Sequence, residues 1–425
     1  MMYMNSDLLK KEYNIKDSAL RLLMQAESDV KERFSQIDEV SSANSLKVLA
    51  AFKRANVSEM HLGLTTGYGY DDVGRDTLDK IYADVFGTEN AIVRHSIVSG
   101  THALAACFYG ILRPGDTLLA ATGKPYDTLE EVIGIRGNAS GSLKDWGVNY
   151  KEIDLLPDGS ADLKAITDAI TDDVKMVAIQ RSKGYAWRKS LSVSDIGEII
   201  SCVKAKNPNI ICMVDNCYGE FVETIEPSDV GADIIAGSLI KNPGGGISLT
   251  GGYIAGTNEA IEKISYRLTA PGIGNEVGST LGMNRSMYQG FFLAPHTVAQ
   301  SVKTAILASR MLELAGYPVC PASNESRHDI IQAVKLFDKD KLCAFCAGIQ
   351  RGAPIDSFVT PMPWDMPGYN EQVIMAAGAF VSGASIEISA DAPIKEPYIC
   401  YMQGGLTYES GKIAVLCAVS DILEN

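Results

Sequence analysis

Residues 210–256 read IICMVDNCYGEFVETIEPSDVGADIIAGSLIKNPGGGISLTGGYIAG. Three short apolar runs stand in this stretch, IICMVD at Ile210, DIIAGS at Asp233 and GGYIAG at Gly251, and turn-forming residues lie between them. Runs of that length and punctuation predict buried strands. Asp215 closes the first run. Lys241 follows the second, with Ser238 before it and Pro243 and three glycines after it. In an open α/β sheet, ligands bind beyond the carboxyl ends of the strands, so these polar residues are the ones to inspect.

The same alternation extends upstream. AIV at Ala91, TLLA at Thr117, VNYKEI at Val148 and KMVAI at Lys175 are four further strand candidates, and helical patterns separate most of the seven. This predicts crossover βαβ units, an α/β fold with a mostly parallel sheet and helices on both faces. Ahead of the strands, HLGLTTGYGYDDVGRD (61–76) is loop-like in its Gly and Asp density, and TLDKIYADVFG after it reads as a helix closed by Gly87. Apolar residues at helical spacing, Ala19, Leu22, Leu23, Ala26 and then Leu46, Leu49, Ala50, predict an N-terminal helical arm over 1–60. The large domain then spans 61–295. A long helical stretch over about 278–314, interrupted near Pro295, leads into a smaller C-terminal α/β domain, 296–425. That domain has the Pro-rich loop FVTPMPWDMPGYN in its middle and a last helix near Gly411–Leu423.

Composition narrows the function. The 425 residues carry 38 Lys and Arg against 52 Asp and Glu, a formal charge of −14, with no basic run to follow a phosphate backbone. Nucleic acid is therefore not an expected partner. With 46% hydrophobic and 21% charged residues the composition is that of a soluble globular protein. The start MMYMNSDLLKKEYNIKD lacks the features of a signal peptide, and no run of about 18 apolar residues occurs, so neither export nor a membrane is expected. Nine scattered cysteines read as reduced thiols, mostly buried, of a cytoplasmic protein. Cys343 and Cys346 form one C-x-x-C without a second pair or a nearby His, which favours packing over a metal site, because zinc needs four ligands. Five dispersed histidines add no metal spacing, and the nucleotide and zinc-protease motifs are absent.

Three places remain. After AIVRHSIV, residues Ser99, Gly100, Thr101 and His102 lead directly into the helical pattern ALAACFYGIL, and N–H groups at a helix start beside a glycine and two hydroxyls suit a phosphate. Simple N-capping by Ser99 or Thr101 is the alternative. His102, one residue beyond, either faces a ligand or bonds the helix start. Asp215, at the end of an apolar strand, needs a cationic or hydrogen-bonded partner. Lys241 alone would read as a surface lysine. Together, an anion cup, a strand-end carboxylate and a loop amine meet the three needs of pyridoxal 5'-phosphate: a seat for its phosphate, a partner for its pyridine nitrogen and a Schiff-base amine.

The residues also resemble the fold type I pyridoxal-phosphate enzymes of the cystathionine/methionine lyase branch. TLDKIYADVFGTENAIVRHSIVSGTHAL, MVDNCYGEF and GSLIKNPGGGISLTGGYIAG carry the broad resemblance over about 60–260, while GYGYDDVGRD, GKPYDTLEE, IQRSKGYAWR and KEPYICYMQGGLTYE resemble the aluminium-resistance, cystathionine beta-lyase-like group over nearly the whole chain. The resemblance implies that Lys241 is the Schiff-base lysine, that Asp215 is the pyridinium partner, and that Gly100, Thr101 and Ser238 contact the phosphate. It also implies that Tyr126 stacks on the ring and that Tyr70 reaches the phosphate of a neighbouring subunit in a homodimer or homotetramer with shared active sites. The activity implied is C–S lysis of a sulfur-containing amino acid. Another reaction on the same fold, transamination or aldol cleavage, or a non-catalytic role in metal tolerance, are the alternatives.

Three departures from the family pattern matter. Asp72 stands where an arginine follows the interfacial tyrosine by two residues, and Arg75 is the nearest arginine, so the phosphate contact has moved there or been lost. Arg181-Ser182-Lys183-Gly184-Tyr185 replaces a loop that carries an asparagine over the cofactor. ICYMQGGLTYE lacks the arginine that grips a substrate carboxylate. Arg351 in GIQRGAPIDSF, followed by Gly352 for close ligand approach, and Lys395 in DAPIKEPY are the basic candidates for that grip, with a surface salt bridge as the alternative reading of Arg351.

Overall fold

The protein is described by a computed structural model over residues 6–137, 140–366 and 371–423. The chain forms two compact units. One holds residues 43–184 and 190–294; the other holds the described residues up to Ser42, Tyr185–Lys189 and those from Pro295 onward. The stretch expected as one arm is thus divided at Ser42. Its helices, Asp17–Asp29 and Lys31–Arg54, are the two that the spacing calls for, preceded by a short one at Ser6–Tyr13. Leu9, Ala19, Leu23 and Ala26 complete the core of the C-terminal unit, so this part is built into a domain rather than standing apart.

The larger unit holds all seven expected strands: β1 (Asn90–Arg94), β2 (Thr117–Ala120), β3 (Asn149–Glu152), β4 (Val174–Gln180), β5 (Ile211–Asp215), β6 (Ile234–Ser238) and β7 (Gly252–Gly256). They form one sheet in the order β1-β7-β6-β5-β4-β2-β3. The five strands from β3 to β6 run parallel, and β6 and β7 are buried along their whole length, as expected for a sheet covered on both faces. β7 is antiparallel to both β6 and β1. The connecting residues 239–251 hold a single short helical turn, whereas a parallel return usually runs through a crossover helix. The edge strand β3, NYKE, is mostly uncovered and carries a lysine, which discourages pairing with another edge.

The C-terminal unit is an antiparallel sheet with β8 (Val319–Cys320), β9 (Ile331–Lys335), β10 (Val373–Ala376), β11 (Ser389–Pro393) and β12 (Ile399–Gln403) in the order β10-β11-β12-β9-β8. Helices Lys339–Gly352 and Tyr408–Ile422 join its core. A Cβ on Gly348 would fall 2.4 Å from Ala418 Cα and one on Gly352 2.3 Å from Ala414 Cα, so both glycines let these helices touch. Gly352 serves that crossing, not a ligand. The helix Asn284–Leu314 runs through Pro295 without the expected interruption. Proline removes one N–H from the ladder, and the buried side chains of Phe291, Ala294, Val298 and Ala299 around it keep the helix going. The last residues of the Pro-rich loop, 367–370, and the first five of the chain lie outside the described residues. Among the described residues, no helix is long and apolar enough to cross a membrane.

Candidate active site

At the carboxyl ends of the parallel strands β4, β5 and β6 stand Gln180, Asp215 and Ser238, and register sets Gln180 opposite Asp215. All three line a cavity of about 180 Å³ together with Lys241, Tyr126 and the start of helix Gly100–Ile111. The helix starts where it does because Ser99 is in extended conformation and its Oγ accepts the His102 N–H at 3.1 Å. Capping and anion binding are therefore combined: the Ser99 hydroxyl is spent on the cap, while Gly100 and Thr101 bring their main chain to the cavity wall. Thr101 Oγ1 lies 2.7 Å from Thr128 Oγ1, which fixes the hydroxyl beside the cup. His102 Nδ1 accepts the Val98 N–H at 3.2 Å and is not part of the cavity lining, so of its two readings the helix-start bond holds.

The charges of the cavity are set by burial. Burial pushes the Asp215 carboxyl above its ordinary value, against the opposing pull of Lys241 and a 3.1 Å bond from the Cys217 N–H. For Lys241 burial works against the ammonium while the charge of Asp215 favours it, and the amine stands above its ordinary value. Its Nζ sits 4.1 Å above the Tyr218 ring. Tyr218 itself has φ 71°, a left-handed backbone that an aromatic residue rarely adopts, and it turns the chain just after β5 so that the ring meets the lysine. Burial, with Asp215 next to it, raises Cys217 well above its usual value, so that this group is a neutral thiol. Tyr126 precedes helix Asp127–Ile133, and Gly184 passes close by: a Cβ there would lie 3.7 Å from Tyr126 Cδ2.

The other expected residues lie elsewhere. Tyr70 is 63% exposed and stacks on Tyr68, with ring centroids 5.6 Å apart. Arg75 is buried. Its Nη1 donates to Gly69 O at 2.7 Å and Gly278 O at 3.0 Å, its Nε pairs with Asp76 at 2.9 Å, and the side chain lines a second cavity, of about 300 Å³, with Tyr68, Arg94 and His95. Asp72 now has a reason. It caps helix Val73–Val85 by accepting the Arg75 N–H at 2.8 Å and also takes bonds from Thr65 and Thr280, so the helix begins inside the stretch expected to be loop. Arg351 is corrected: its Nη1 and Nη2 grip Asp421 at 2.7 and 2.8 Å, the salt-bridge alternative, and a guanidinium already closed on one carboxylate is not offered to another. Lys395 lines a separate cavity of about 110 Å³ in the C-terminal unit with Tyr185, Trp187 and Tyr401.

Sequence reasoning missed Gln180, Thr128, Cys217 and Tyr218 in the cavity wall. Gln180 and Cys217 were open to the strand-end rule, one closing β4 and the other two residues past β5. Thr128 and Tyr218 gave no such signal, since only the folded loops bring them in.

A cavity at the carboxyl edge of a parallel sheet, with a helix N-terminus, a buried carboxylate and a loop lysine, defines a class, the fold type I pyridoxal-phosphate architecture. A pyridoxal-5'-phosphate-dependent protein of Escherichia coli, YhfS, shares that fold at TM-score 0.58 and 16% identity over 89% of this chain and 95% of its own. More narrowly, the model of the family described as methionine gamma-lyase matches residues 19–423, and the chain belongs to that family. The crystal structure of a carbon-sulfur lyase involved in aluminum resistance from Clostridium novyi NT is 55% identical, with TM-score 0.96 over 99% of both chains. Bacillus subtilis (strain 168) YnbB, an uncharacterized protein, is 53% identical over 94% of this chain and 96% of its own.

Proposed function

We propose that this protein is a pyridoxal-phosphate-dependent carbon–sulfur lyase that releases a thiol from a sulfur-containing amino acid by β- or γ-elimination. The observation that carries this reading is the placement of Asp215 and Lys241 on one cavity beside a helix N-terminus, with neither charge closed in an ion pair among the described residues. The donor set fits the cofactor. Asp215, costly as a lone buried anion, would pair with a protonated ring nitrogen. The main chain at Gly100 and Thr101, with the Ser238 hydroxyl, suits the phosphate, and the Tyr126 ring suits the face of the pyridine. When bound, the cofactor supplies an electron sink that makes the substrate Cα–H acidic. Lys241 Nζ is the group placed to take that proton and to return one. Ser182, Gln180 and Gly184 replace the family's asparagine loop in the wall of this cavity.

Tyr70 and Arg75 are proposed to serve a neighbouring copy, in a homodimer or homotetramer, since both lie off their own cavity and an exposed tyrosine pair beside Gly67 and Gly69 suits contact across a two-fold axis. A cytoplasmic location is supported by nine free cysteines, six of them buried. The test is to load the purified protein with pyridoxal phosphate, supply cystathionine or methionine, and assay thiol and keto acid separately. Borohydride should fix the cofactor on Lys241. Keto acid without thiol would indicate transamination, and capture on another lysine would overturn the reading.

A further inference from the structure

Beneath the cavity lies a buried polar network that this chemistry does not use. Arg181, fully buried, donates through Nη1 to Asn216 Oδ1 at 2.8 Å and Glu226 Oε2 at 3.3 Å, and through Nη2 to Glu223 Oε1 at 2.8 Å. Asn216 Nδ2 donates to the same Glu226 oxygen at 3.0 Å. Two carboxylates therefore surround one guanidinium. A third, Glu220, has no cation bonded to it: Tyr253 Oη donates to its Oε1 at 2.9 Å, and its Oε2 is buried without a partner among the described residues. The fold makes room for this group. A Cβ on Gly237 of β6 would fall 2.5 Å from Glu220 Oε1 and 2.7 Å from the Tyr253 ring. The Glu220 main-chain oxygen, in turn, accepts the Asn242 side chain at 3.0 Å, one residue past Lys241.

A fully buried carboxylate with one oxygen orphaned and no cation bonded to it is costly, whereas a carboxylic acid in the same place is not. We propose that Glu220 is a positioning residue for Lys241: held as a neutral acid against Tyr253, it keeps a further negative charge away from the lysine, and losing its proton makes the lysine hold its own more tightly. This rests on the reading of Lys241 as the cofactor lysine. The titratable groups facing Glu220 are Tyr82 from helix Val73–Val85, Cys217 and Glu226 from the chain after β5, Lys241, and Tyr253 from β7. Burial, reinforced by Glu226, pushes Glu220 up to about 8 against its own main chain, Tyr253 and Lys241. Glu220 is thus an acid at neutral pH and ionises on the alkaline side.

The test compares the full chain with Glu220→Gln, which keeps the shape and an acceptor for Tyr253. Infrared spectra of the purified protein, which need no turnover, should show in the wild type a carboxylic-acid carbonyl band lost across a midpoint near pH 8, and no such band in Glu220→Gln. In the pyridoxal-phosphate-loaded chain, the midpoint of the visible absorbance against pH should fall in Glu220→Gln, changing the ratio of the two absorbing forms roughly threefold or more at fixed alkaline pH. A wild-type band already absent at neutral pH, or coincident absorbance titrations, overturns the proposal. Failure to trap cofactor on Lys241 would instead defeat the functional reading and leave the infrared result to decide the state of Glu220. Should Glu220→Gln not fold, Tyr253→Phe, which removes only the bond to Oε1, must move the infrared midpoint upward; no movement counts against the proposal.

Discussion

Lys241 with Asp215, and Arg351 with Asp421, are two cation–carboxylate sets in the two units of this chain, and they have opposite fates. Arg351 and Asp421 close on each other through two parallel hydrogen bonds, so their charges are complete before any ligand arrives. Asp215 is bonded by the Cys217 main-chain N–H and thiol, neither of them a cation, and the Lys241 ammonium lies over an aromatic face. A closed pair at a partly exposed site contributes little and offers a ligand nothing. Charges held apart around a cavity cost stability, and that cost marks a place prepared for something else. In the sequence Lys241 stands out by its place just after a buried run, Arg351 only by its guanidinium and the glycine that follows. The partner each side chain finds now separates them.

The largest effect should come from the open set. Lys241→Ala should lower thiol release by roughly a thousandfold or more, leave the melting temperature near that of the wild type, and abolish borohydride trapping. Activity within tenfold of wild type would break the comparison at its strongest point. Asp215→Asn, which keeps the shape and removes the charge, should cost roughly a hundredfold in turnover and weaken cofactor binding. If turnover holds in that variant, the carboxylate is structural, and the two sets are alike after all.

Shared sites offer a sharper test of the same contrast. Lys241→Ala and Tyr70→Ala should each be inactive, and mixing and reassociating them should restore activity, because a hybrid dimer rebuilds one intact site. No recovery in a confirmed mixed dimer would confine Tyr70 to its own subunit. Arg351→Ala should leave the Michaelis constant unchanged and cost about 0–1 kcal/mol of stability, as a pair whose side chains are 33% and 20% exposed allows. A tenfold rise in that constant would restore Arg351 as the carboxylate grip.

A last effect, on stability alone, concerns Asp72. Burial acts against its charge, but bonds from Thr65, the Arg75 N–H and Thr280, with the Arg75 charge, hold its carboxyl below the ordinary value. A depressed value means that the stabilisation is present above the unfolded value, about 4, and is lost as pH falls through the folded one. Asp72→Ala should therefore cost about 1 kcal/mol at pH 7, shrinking below pH 4, as read from denaturant midpoints. A pH-independent loss would show that the cap acts through shape alone.

Much of this was legible in the sequence because it is local. Seven strands follow from apolar runs of strand length, the helix at Gly100 follows from the Ser-Gly-Thr start, and Asp215 and Lys241 stand out as polar residues just past buried runs. Those signals depend on periodicity and on where a strand ends, and a single stretch of chain carries both. Other features depend on residues far apart that only folding brings together. Asp72 is a cap braced by Thr280, Gly352 is small because Ala414 crosses it, Arg351 is spent on Asp421, and Glu220 is enclosed by Gly237 and Tyr253 with no cation bonded to it among the described residues. The sequence by itself determined the sheet, the start of the helix at Gly100 and the positions of Asp215 and Lys241 just past buried runs. The tertiary structure decided which other charges are free to act, since whether a side chain is satisfied depends on its long-range neighbours and the water they exclude.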